Sequence, residues 1–108
     1  MTRVYVPTTL GVLADYVDHG YVPESAERYV PPGDDEESEY DALVAAAEAS
    51  AEMLAGPGRR VVVVAEVADV DGPVAIEQVV AVHADADAEH DPDEELSWYA
   101  TQEIPYLF

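Results

Sequence analysis

The sequence predicts an α/β fold: a small single-domain layer fold, with a sheet of at least three strands and a long amphipathic helix packed on it. Three observations predict it. From Asp34 to Leu54, apolar residues recur at helical spacing behind an acidic start. Arg60-Val61-Val62-Val63-Val64-Ala65 is apolar without alternation, the pattern of a strand covered on both faces. Strand-like and helix-like stretches are interleaved in the order β-α-α-β-β-α, which suits layers of helix on sheet. At 108 residues the chain has the length of one domain, expected to span 1–108.

The elements follow in order. Arg3-Val4-Tyr5-Val6 is β-branched and aromatic, and Pro7 is expected to stop that strand. Thr8 or Thr9 can cap a helix with apolar positions Leu10, Leu13, Ala14 and Val17, ending at Gly20. His19 in its last turn suits the helix dipole. Tyr21 to Gly33 carries Pro23, Pro31 and Pro32 and reads as irregular. "YVP" recurs at Tyr5, Tyr21 and Tyr29, as a strand-stop pattern rather than a repeat.

The second helix is expected to be capped by Asp34, with Glu37 closing a capping box. Its buried stripe would be Tyr40, Leu43, Val44, Ala47, Ala51 and Leu54, with Glu37, Asp41, Glu48 and Glu52 in water. Gly56-Pro57-Gly58 ends it. The central strand comes next, then a turn at Asp69-Val70-Asp71-Gly72-Pro73 and one helical turn at Ile76-Glu77-Gln78. Val79-Val80-Ala81-Val82-His83 is the third strand. Asp91 is expected to cap a last helix, with Pro92 at its first position, Glu94 two further on, and Pro105 at its end.

Charge bounds the function. Twenty-four carboxylates face four Arg and no Lys, a formal net of -20. No basic stripe for nucleic-acid phosphates can be assembled, and anionic membranes are disfavoured in the same way. The runs Asp34 to Asp41 and Asp85 to Glu95 hold thirteen of the carboxylates, much of them at expected helix N-termini where the macrodipole favours them. The other readings of the acidity are a solvated repulsive surface, adaptation to high salt, and mimicry of a nucleic acid that blocks a basic partner. There is no Cys, no stretch approaches a membrane span, and the start has no apolar core of a secretion signal. A cytoplasmic protein is the expectation.

No catalytic or cofactor motif stands out. Read as an EF-hand from Asp85, the acidic loop fails at its sixth position, His90, and at its twelfth, Leu96. His83, His90 and a carboxylate lack the tight spacing of metal sites. There is no nucleophile elbow, no Gly-rich phosphate loop after the first strand, and no Lys for Schiff-base chemistry. Neither a metal nor a cofactor is expected.

The closing stretch "SWYATQEIPYLF" concentrates the heavy side chains, including the only Trp and the only Phe. On a helical wheel Leu96, Ala100 and Ile104 share one side, with Tyr99 and Glu103 beside Leu96, while Trp98 and Gln102 lie across. A helix here cannot bury its apolar mass on one face. Glu103 drawn inward would call for Arg3, Arg59 or Arg60, and Trp98 would need a cover. Either the end folds back as a lid, or Trp98 and Tyr99 form an exposed aromatic patch for a protein partner. The candidate binding residues are Trp98, Tyr99, Gln102 and Glu103, with Tyr5 and His83. A pocket joining Tyr5, His83 and Glu103 would instead favour a small-molecule enzyme.

"RVYVPTTL" at Arg3 to Leu10, "GDDEESEYDALVAAAEASAEML" at Gly33 to Leu54, "VVAVHAD" at Val79 to Asp85 and "WYATQEIP" at Trp98 to Pro105 resemble a family of small uncharacterised actinobacterial proteins. Tyr21 to Pro32 and Ala65 to Gln78 depart from the family pattern, whose members run longer there. The resemblance transfers no catalytic residue. It implies an actinobacterial, cytoplasmic origin, and a GC-rich genome that would account for Arg in place of Lys. The function expected from the whole reading is a non-enzymatic protein-interaction domain using the C-terminal aromatic segment, with the acidic mimic as alternative.

Overall fold

The computed structural model describes residues 1–91 and 93–108. Its centre is a four-stranded antiparallel sheet in the order β1-β3-β5-β6, from β1 (Thr2–Thr8), β3 (Val61–Val67), β5 (Val79–Ala84) and β6 (Ser97–Ala100). A two-stranded ribbon pairs β2 (Tyr21–Val22) with β4 (Val74–Ala75). The helices are α1 (Leu10–His19) and α2 (Glu36–Met53), and 3-10 turns cover Ile76–Gln78 and Thr101–Leu107. The expected α/β layering stands, with α2 against one sheet face and β3, whose first five residues are all apolar and buried, inside the sheet.

Two clusters of buried side chains lie on the two faces of the sheet. Val4, Val6, Val61, Val63 and Val82 pack with Leu13 of α1, Val22, Val74, Ile104 and Leu107. On the other face Tyr5, Val62, Val64 and Ala81 pack against Ala42 and Ala46 of α2. β3 carries both sets in alternation, which explains its unbroken valines.

Local choices explain the remaining elements. Thr9 caps α1 by accepting from the Val12 N–H at 3.3 Å. Gly20 ends α1 at φ 86°, the left-handed geometry glycine adopts without a Cβ penalty. α2 is capped by Asp35, one residue later than expected, accepting from the Ser38 N–H at 3.1 Å and the Ser38 hydroxyl at 2.8 Å. Pro7 lies inside β1 instead of ending it. It can, because β1 is an edge strand: Tyr5 N–H and C=O turn outward to Tyr29, and Pro7, two residues on, faces the same way.

The last helix is the main correction. Asp93 lies in a turn, Glu94 N–H donates to Asp91 C=O at 3.0 Å, and Ser97–Ala100 runs as strand β6. Pro92, expected at the first helical position, lies outside the described residues. The reason is that β5 offers a free edge: a strand here pairs Val82 with Tyr99 and His83 with Trp98. Strand alternation also removes the wheel conflict, since neighbours point to opposite faces. Thr101–Leu107 then turns tightly, its Thr101 hydroxyl donating to Val79 C=O at 2.8 Å, and Ile104 and Leu107 dock on the α1 side. Glu103 is not drawn inward. It is exposed, and its carboxylate accepts from Ala100 N–H at 2.9 Å.

Candidate functional site

α2 lies over β1 and β3 on small residues. Ala42, Ala46 and Ser50, at i, i+4 and i+8, form its buried line. Ser50 is wholly buried. Its hydroxyl donates to Thr8 C=O at 2.7 Å and accepts from Val61 N–H at 2.8 Å, joining helix to sheet where β1 and β3 meet. This sets the rotation of α2. Leu43 and Ala47 are left half-buried, and Tyr40 and Val44 are exposed on the flank facing β5 and β6.

α2 does not extend over the far half of the sheet. Between its flank and β5–β6 lies a groove of about 440 Å³. Leu43, Val44 and Ala47 form one wall, His83 and Trp98 line the sheet side, and Leu96 and Arg60 lie at the end reached by the 93–96 segment. Trp98 is 60% exposed. Tyr40 donates its hydroxyl to Glu95 Oε1 at 3.2 Å, a tie from the helix to that segment.

The segment is itself anchored. Asp85, at 2% exposure, accepts from Arg60 through backbone N–H at 2.8 Å, Nε at 2.9 Å and Nη2 at 2.8 Å. Arg60 Nη2 also donates to Glu94 C=O at 2.8 Å, and His90 Nε2 lies 3.1 Å from Asp85. Burial pushes the Asp85 carboxyl up, but the Arg60 bonds and charge, with His90, outweigh this and hold it below its usual value. Arg60 is held above its usual value, first by its bond to Asp85.

His83 stands apart from this cluster. Among the described residues neither of its ring nitrogens has a protein partner, and burial lowers its pKa, which favours the neutral ring. Glu48, Asp93, Glu94 and Glu95 add carboxylates to the lining. Among the described residues no cluster of His, Asp and Glu is arranged to hold a metal ion. The groove can bind an apolar or aromatic-stacking group and accept hydrogen bonds around it. Among the described residues its lining holds no Ser, Thr or Cys.

Of the residues singled out from the sequence, the structure brings together Trp98 and His83, cross-strand neighbours. Tyr99 is on the opposite face, against the α1-side core. Gln102 and Glu103 are exposed on the final 3-10 turn. Tyr5 is buried beneath α2, its hydroxyl 3.3 Å from Glu39 Oε1, outside the groove lining. Tyr5, His83 and Glu103 do not share a pocket. Sequence reasoning passed over Leu96, Arg60 and the 93–95 carboxylates as site residues. Of the stripe expected to be buried, Leu43 and Ala47 pack in part against the core, while Tyr40 and Val44 are exposed, although the second line of small residues on α2 was visible.

A family model matches residues 2–108. The chain belongs to DUF6912, a family of unknown function. No curated protein and no solved structure matches it. Membership in DUF6912 therefore brings no activity to the groove. No helix of this DUF6912 chain, among the described residues, is long and apolar enough to cross a membrane.

Proposed function

We propose that the protein is a non-enzymatic interaction domain that docks a partner protein in the groove beside Trp98. One observation carries the reading: the only Trp of the chain is largely exposed, on a groove of mixed apolar and acidic lining that α2 leaves uncovered. Exposed Trp is costly as surface and effective as a binding anchor. The C-terminal segment contributes through β6, while Ile104 and Leu107 serve the fold as the lid of the other face.

The test is capture of partners from a lysate by the wild-type chain and by Trp98→Ala, at low and high salt. Salt-tolerant capture lost in Trp98→Ala supports groove docking. Capture that ignores Trp98 and vanishes with salt supports the second reading, an acidic nucleic-acid mimic. That reading draws on Glu37, Asp41, Glu48 and Glu52, all exposed along the 18 residues of α2.

A further inference from the structure

The chemistry of the groove narrows what can occupy it. Its lining combines an exposed indole at Trp98, an imidazole at His83 that makes no hydrogen bond among the described residues, and carboxylates at Glu48, Glu94 and Glu95. Among the described residues of the lining Arg60 is the one Arg or Lys, and its guanidinium is already bonded to Asp85 and Glu94 C=O. An indole face attracts cations through its quadrupole, and a planar guanidinium can stack on it while donating sideways. Carboxylates and a neutral imidazole are acceptors for those donors. A second copy of this chain is the wrong occupant, because each copy brings a formal charge of -20.

Building on the docking reading above, we propose that the groove recognises an arginine-bearing peptide segment of a partner protein. The guanidinium stacks on Trp98 and donates to the carboxylates at the rim and to His83. Flanking apolar side chains of the segment rest on Leu43 and Val44. Arginine is preferred over lysine, since only the flat guanidinium combines stacking with several directed donors.

The probe is a random twelve-residue peptide display library, selected in parallel on the full wild-type chain and on Trp98→Ala. The expected result is a set of Trp98-dependent binders enriched in Arg over Lys. One such peptide, resynthesised, should bind about tenfold more weakly to Trp98→Ala. It should also weaken on Glu48→Gln, an exposed helix change that leaves the fold intact. Trp98-dependent binders without cations would overturn the arginine proposal and leave groove docking standing. Arg-rich binders that ignore Trp98 and dissociate with salt would overturn it in favour of diffuse acidic adsorption. A selection with no Trp98-dependent binders would overturn both.

Discussion

Ser50 occupies a position on the sheet-facing side of α2 where two backbone groups need a partner. Its hydroxyl serves Thr8 C=O and Val61 N–H in a fully buried setting. Ser50→Ala removes both bonds and no significant volume, so the loss is one of unsatisfied buried groups. Denaturant unfolding should show it less stable by about 2–4 kcal/mol. Asp85 is the second such residue. Asp85→Asn would leave the Arg60 guanidinium, on a 6% exposed residue, without its counter-charge, at a cost of about 3–5 kcal/mol. It should also loosen the 93–96 segment, because Arg60 holds Glu94 C=O from the same position. His83 gives a pH signature. Burial lowers its folded pKa below the ordinary 6.5, so the unfolded chain binds more protons between those two values. Its contribution is fully present above about pH 6.5 and falls as pH drops toward the folded value. His83→Gln should lack that part of the slope, and equal slopes in pH-dependent melts of the two proteins would refute the assignment.

At the scale of elements, β6 decides both the fold and the site. A helix over Asp91 to Pro105 would place Trp98 across from Leu96. The strand instead sends Trp98 to the α2 side and Tyr99 to the α1-side core. Trp98→Ala should therefore change stability by no more than about 0.5 kcal/mol, and Tyr99→Ala should cost about 1–3 kcal/mol. Equal costs would speak against the strand. The sheet core and both α-helices were legible in the sequence because each carries a strong local pattern: the unbroken valines of β3, the Thr9 and Gly20 boundaries of α1, and the acidic start of α2. β6 was not legible, because its four residues gain their stability from the free edge of β5, which sequence does not display. The rotation of α2 was hidden for a related reason. Tyr40, Leu43 and Val44 outweigh Ala42, Ala46 and Ser50 in hydrophobicity, yet close packing on a sheet favours the small set. Trp98 and His83 were readable as candidates by residue type, but their meeting depends on β5–β6 register.

For the whole molecule the governing quantity is charge. The four Arg are all engaged in the fold. Arg3 bridges Glu39 and Glu66, at 2.8 and 3.0 Å. Arg28 donates to the carbonyls of Pro23, Ala26, Val70 and Gly72. Arg59 holds Asp85 C=O and Leu107 C=O, and Arg60 holds Asp85. Twenty-four carboxylates thus share four cations already placed, and among the described residues most are exposed without an ionic partner. Their repulsion acts over a Debye length of about 30 Å at 0.01 M salt, comparable with the 36 × 32 × 24 Å extents of the fold, and about 3 Å at 1 M. At low ionic strength nearly every carboxylate therefore repels every other, and an expanded chain relieves that cost. Melting followed by circular dichroism should give a Tm several degrees higher at ~0.5 M sodium chloride than at ~0.01 M. A screening gain of about 1 kcal/mol corresponds to roughly 4–8 °C for a domain near this size. The ion pairs oppose this trend weakly: Arg3 and its carboxylates are partly exposed and worth little, and Arg60–Asp85 is buried from screening. A Tm that stayed flat or fell with salt would mean that the unpaired carboxylates do not govern stability.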